Sequence, residues 1–262
     1  MIRHRSSESQ IVRPGFVRER AGSAGEEEYV NPYANLYELP GLVDLWDAAD
    51  IEGIVPDESP LDSFGWPSNI PGSENDRRLE NNLGELGPTY QATGGSNAQP
   101  AVFFNGSMHL NPAFNISEIA SDYTIYFVGK QGGTGTRILL SCQDSDAQSF
   151  TIRQSTSANL TGYLTGATSV TCEAAVTGVD AIWGFSLTSG APRVRINRTE
   201  KTLSDTTFTA TKLDNITIIG ANPAASASFW SGYICLIAIY NQAHTQAQMI
   251  GVEEILGTRF GL

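Results

Sequence analysis

Tyr233-Ile234-Cys235-Leu236-Ile237-Ala238-Ile239-Tyr240 is a run of eight apolar or aromatic residues with no charge, glycine or proline inside it. A strand sends successive side chains to opposite faces, so a run that is apolar at both parities is buried on both. It is far shorter than the roughly 20 residues a membrane-spanning helix needs. The reading is a central strand of a layered β domain. Tyr123 to Val128 has the same two-faced character, and Ile216 to Ile219 is a shorter version. Outward from these lie Val102-Phe103-Phe104, Arg137 to Cys142, Phe150 to Arg153 and Ile182 to Leu187. Arg193-Val194-Arg195-Ile196-Asn197 alternates, which predicts one wet face and one buried face. Gly-Thr-Gly, Thr-Ser-Gly and Asn-Pro turns separate the runs. Short strands at this spacing predict an all-β fold, a two-sheet antiparallel sandwich.

One helix is expected, near the end of the chain. Thr245 and Gln248 form a capping box, in which the side chains satisfy free backbone N–H groups of the first turn. Met249, Val252 and Leu256 then share a face, and Gly257 is expected to close the helix in the left-handed conformation.

Of 262 residues, 40% are hydrophobic and only 17% charged, which suits a sheet-rich domain rather than a solvated or disordered chain. The net charge of −12 opposes general binding to nucleic acid. Residues 1–40 show no sustained period and read as an extended N-terminal arm, with the sandwich domain spanning residues 41–262. The arm opens with Arg3, Arg5, Arg13, Arg18 and Arg20 against Glu8 and Glu19, and continues with Glu26, Glu27, Glu28 and Glu38. Such a basic tip fits docking on an acidic neighbour, including a second copy of the chain. Tyr29, Tyr33, Leu36, Tyr37 and Leu39 form an apolar cluster that is expected to dock on the body or on a neighbour. The first residues carry no apolar leader, so the chain is expected to fold in a host cytoplasm without membrane insertion. Cys142, Cys172 and Cys235 are an odd set and are expected as free thiols.

Several segments carry a resemblance, in order. Leu45-Trp46-Asp47-Ala48-Ala49-Asp50 looks like an opening LWLDASD signature, and Asp62-Ser63-Phe64-Gly65-Trp66 like the degenerate segment after it. Pro100 to Leu110 and Tyr123 to Lys130 are similar to the next two strands, and Trp230 to Asn241 to the closing one. Gly257 to Leu262 is similar to the terminus. Together these resemble the concanavalin A-like lectin/glucanase superfamily, in its laminin-G-like jelly-roll branch, over roughly residues 42–262. That resemblance implies a jelly roll. It also points to the versions of this domain found in bacteriophage virion proteins. Asn105 stands where the pattern has Asp, and Cys235-Leu236 where it often has Glu. Both changes remove a carboxylate.

Glycosidases of this superfamily place carboxylates in alternation on one strand, one to attack and one to protonate the leaving group. The nearest candidate, Glu74 to Glu80, has the wrong spacing and lies in a Pro/Gly/Asn-rich stretch. His4, His109 and His244 lack metal-ligand spacing, and His109 reads as structural. No cofactor is expected, although Asp144 and Asp146 alternate in a turn that could offer hard oxygens to calcium. Trp46, Trp183 and Trp230 lie in apolar runs and read as core. Trp66 lies in the long loop and is the candidate to stack on a sugar. Its alternative is to pin that loop to the body.

The expectation is therefore a chain that is not an enzyme: a virion structural or adhesion protein, such as a capsid decoration, head-fibre or tail component. Its arm would anchor it among other virion subunits or copies of itself, and its sandwich could bind host-surface polysaccharide. The alternative is a free-standing carbohydrate-binding lectin, followed by a polysaccharide hydrolase or lyase.

Overall fold

The 233–240 run lies within a strand that is hydrogen-bonded on both sides. The structure is a computed structural model describing residues 36–262 apart from 38, 52–53, 62–64, 71–76, 84–85, 113–121, 134, 144–148, 155–158, 165–169, 174–176, 205–215, 223–224 and 226. It is an antiparallel two-sheet sandwich with a C-terminal helix, as the strand rhythm predicts.

The larger sheet holds β1 (Leu42–Asp47), β3 (Thr89–Gln91), β4 (Ala101–Asn105), β6 (Tyr123–Gln131), β11 (Asp180–Thr188), β12 (Ala191–Ile196), β13 (Thr199–Glu200) and β15 (Ser231–Tyr240). Its order is β13-β12-β11-β6-β15-β4-β3, and β1 also pairs with β15. The first half of β15 runs beside β4 and the second half beside β1, while β6 follows its other edge. The smaller sheet holds β7 (Arg137–Gln143), β8 (Ser149–Gln154), β9 (Asn159–Leu164), β10 (Val170–Glu173) and β14 (Ile216–Ile219), in the order β10-β9-β8-β7-β14. A short pair, β2 (Leu79–Glu80) with β5 (Asn111–Pro112), lies apart from both.

Two cores explain why the central strands are apolar at both parities. Tyr123, Ile125 and Phe127 of β6 point between the sheets with Trp46, Trp183, Trp230, Ile237 and Ile239. Phe127 stacks on Trp183 with ring centroids 4.3 Å apart. Tyr126 and Val128 point the other way, with Leu236, Ala238 and Tyr240, into a second core covered by the helix α1 (Gln246–Phe260). Met249, Val252, Leu256 and Phe260 supply its buried face. Leu36 and Leu39 pack onto this second core, and the Tyr240 hydroxyl donates to the Leu36 carbonyl at 3.1 Å. The five arginines, Tyr29 and Tyr33 lie outside the described residues. All three cysteines are buried.

Two local expectations are corrected. The capping box at Thr245 and Gln248 is present, but α1 does not close at Gly257. It runs to Phe260, and Gly261 takes the left-handed conformation at φ 68°. Gly257 is a buried helical residue, where a Cβ would lie 2.2 Å from the Arg198 guanidinium. The side of β12 expected to be wet is covered at Arg195, while Arg193 and Asn197 on the same side reach solvent. Arg195 is buried under α1, where its Nε donates to both Glu253 oxygens at 3.2 and 3.0 Å.

His244 precedes the helix and is buried, with Nδ1 2.8 Å from the Tyr126 hydroxyl and its ring 4.3 Å from that of Tyr240. Its Nε2 has no hydrogen-bond partner among the described residues. Burial pushes its pKa down from 6.5 to about 4. The unfolded chain therefore binds the proton more readily. The contribution of a neutral His244 is complete above pH 6.5 and is lost as pH falls towards about 4. The loss should reach about 3 kcal/mol. Denaturation midpoints measured at stepped pH should fall across this window, and less steeply in His244→Gln.

Candidate functional site

The helix covers only part of the outer face of the larger sheet. Where it stops, four adjacent strands place one residue each in direct cross-strand register. Phe103 on β4 faces Tyr233 on β15, Tyr233 faces Lys130 on β6, and Lys130 faces Asp180 on β11. Residues directly opposite on neighbouring strands share a face. Parity places this row on the face of Ala101, Val128 and Ile182, which belong to the second core. All four are half-buried, whereas most of the sheet around them is buried. Thr89 on β3 continues the row beyond Phe103. The three gaps from β4 to β11 span about 14 Å.

The backbone makes this register possible. The β15–β6 register shifts between Ile234 and Leu236, at Cys235. Beyond the bulge, Ile234 points into the inter-sheet core and Tyr233 points outward. Gly232 precedes Tyr233 at φ 122°, and a Cβ there would lie 2.0 Å from the Lys130 carbonyl oxygen. A side chain at 232 would push β15 away from β6 and take Tyr233 off Lys130.

The polar groups are fixed by one another. The Tyr233 hydroxyl donates to Asp180 Oδ1, and Ser96 Oγ lies 3.3 Å from the same hydroxyl. Burial, then the hydrogen bond to Asp180, raises the Tyr233 pKa well above its ordinary value, so the hydroxyl remains a donor. Lys130 Nζ lies 3.9 Å from Asp180 Oδ1. It makes no hydrogen bond to a described residue, and Asp180 Oδ2 accepts none from one. The short 3-10 turn Ser96–Ala98 borders one long side of the row, and the Asn197–Arg198 turn borders its β11 end. Asn197 donates from Nδ2 to the Asp180 carbonyl at 3.5 Å. The arrangement offers two aromatic faces beside a donor and an acceptor with open valences.

The residues singled out in the sequence do not build this site. Trp66 is fully buried in the inter-sheet core, where its backbone exchanges hydrogen bonds of 2.8 and 2.9 Å with Leu79. Its ring presents no face to a sugar, so its assignment to ligand binding is corrected to that of a loop anchor. Asp144, Asp146, Glu74 and Asp76 lie outside the described residues. Glu80 pairs with Arg78 at 3.3 Å. The acids around the opening signature are internal ties. Asp44 accepts from Ser68 at 3.2 Å and from Arg77 at 3.4 Å. Asp47 holds Arg259 of α1 through two contacts, one of 2.8 Å from Nη2 to Oδ1. His109 is buried, as its structural reading requires, and burial lowers its pKa. Phe103, Lys130 and Tyr233 fall inside segments that resemble the family's strands and Asp180 in none of them, and no segment marks its residue as part of a site. What joins them is pairing register.

No protein-family model matches the chain, and no curated protein does. Solved structures share the fold. Domain 4 of AbnA, a GH43 extracellular arabinanase from Geobacillus stearothermophilus solved with arabinotriose, aligns with a TM-score of 0.58 at 16% identity, over 81% of this chain and 98% of that one. Trypanosoma rangeli sialidase aligns with a TM-score of 0.54 at 11% identity, over 84% of this chain and 33% of that one. The chain thus spans about a third of the sialidase. The expectation that the chain is not an enzyme does not stand, because its structural neighbours include a sialidase and a domain of an arabinanase. At these identities the likeness establishes the sandwich, a fold that hosts both binding and catalytic proteins.

Proposed function

We propose that this sandwich binds carbohydrate, and that the Phe103–Tyr233–Lys130–Asp180 row is its binding face. One observation carries the reading: two half-buried aromatic rings stand in cross-strand register with an ammonium and a carboxylate that retain open hydrogen-bonding capacity. Aromatic faces pack against the C–H faces of sugars, while a few placed polar groups fix the hydroxyls. The similarity to an arabinanase domain solved with arabinotriose supports the same ligand class. A virion role, drawn from the sequence resemblance, gains no support from these neighbours.

Glycan-array binding of the intact chain, followed by calorimetry on the best ligand, tests this. Tyr233→Ala and Phe103→Ala should each weaken binding roughly tenfold or more, equivalent to about 1.4 kcal/mol. Tyr37→Ala should leave binding unchanged, because Tyr37 donates to the Asn69 carbonyl away from the row. Full affinity in both row variants would remove this face from consideration.

A further inference from the structure

We infer that the row takes an uncharged oligosaccharide laid across the strands, with a vicinal diol of one sugar held by Lys130 and Asp180. This rests on the carbohydrate-binding reading and specifies its ligand.

The polarity of the row sets the orientation. Its two aromatics are adjacent, on β4 and β15, and its two charges are adjacent, on β6 and β11. A single sugar could not stack on Phe103 and also reach Asp180 across about 14 Å. A chain of several sugars, running from β11 towards β3, meets both halves. The Asn197–Arg198 turn borders the β11 end, where the terminal sugar would sit. The β3 end continues through half-buried Thr89.

The charged pair sets the chemistry. Asp180 Oδ1 already accepts from Tyr233, which leaves Oδ2 to accept from one sugar hydroxyl. The Lys130 ammonium has three N–H donors, and none meets a described hydrogen-bond acceptor. It can donate to the neighbouring hydroxyl. An acceptor and a donor side by side match two adjacent hydroxyls, one donating and one accepting. The same pair disfavours a carboxylate sugar. The single ammonium of the row is already opposed by Asp180 at 3.9 Å, so a second carboxylate would find no unmatched positive charge in the row. The net charge of −12 adds long-range repulsion.

The test uses the intact chain and a panel of neutral arabino-, xylo-, manno- and cello-oligosaccharides of one to six sugars. Lactose is included with 3′-sialyllactose as a matched neutral and anionic pair. Affinity for a neutral series should rise at least tenfold from the monosaccharide to the tri- or tetrasaccharide and then level off. Carboxylate-bearing glycans should bind no better than their neutral parents. Asp180→Asn and Lys130→Met, with folding checked by circular dichroism, should each weaken oligosaccharide binding roughly tenfold. A monosaccharide that binds as tightly as its tetrasaccharide overturns this inference and leaves the broader reading standing. So does a preference for the sialylated ligand, or full affinity in both variants. Absence of binding to every glycan on the panel and the array overturns both.

Discussion

Glu253→Ala is expected to be among the most destabilising single substitutions in the chain, at about 3–5 kcal/mol. Glu253 is fully buried in α1, and both its oxygens accept from Arg195 of β12. Arg195 also donates from Nη2 to the Arg198 carbonyl at 2.5 Å, and its Nη1 lies 3.6 Å from Glu200 at the sheet edge. Burial raises the Glu253 pKa, and the bonds from Arg195 oppose that rise. Removing the carboxylate leaves a guanidinium under the helix with Glu200 as its remaining counter-charge among the described residues. Such a group is far costlier to bury than a paired one. Urea denaturation would measure the loss. The double variant Arg195→Met/Glu253→Met should lose much less than the sum of the single changes, because neither charge is then stranded. A Glu253→Ala protein within about 1 kcal/mol of the parent would show that α1 is held without this pair.

Trp66→Ala should cost a similar amount, about 3–5 kcal/mol, because a fully buried indole would leave a large cavity between the sheets. Below its melting temperature the variant should bind glycan with the affinity of the parent. That separation of effects distinguishes an anchor from a sugar platform. A selective loss of binding, without loss of stability, would return Trp66 to the ligand site.

Trp66 also shows where sequence reading stops. Its neighbours Pro67, Ser68 and Asn69 look like loop, and loops lie at the surface. Nothing local reveals that the segment bridges Leu79 and turns the indole inward. The central strands were legible for the opposite reason. Tyr123–Val128 and Tyr233–Tyr240 each carry two apolar faces in their own residues, and only a strand covered on both sides needs that. The cap at Thr245 was equally local. The end of α1 was not, because Gly257 serves close approach of Arg198 rather than chain reversal. The binding row was least legible of all. Its members are scattered from residue 103 to residue 233, and their alignment depends on a bulge at Cys235 that shifts the register by one residue. A one-residue shift exchanges the two faces of a strand. Without pairing partners, Tyr233 reads only as the first residue of a core run.

A crystal structure of the chain with the oligosaccharide that binds best on the panel tests the binding row most directly. The sugar is expected on the outer face of the larger sheet, with its rings over Tyr233 and Phe103 and two adjacent hydroxyls at Lys130 and Asp180. Sugar bound on the smaller sheet or among the loops, with this row left bare, would contradict that placement.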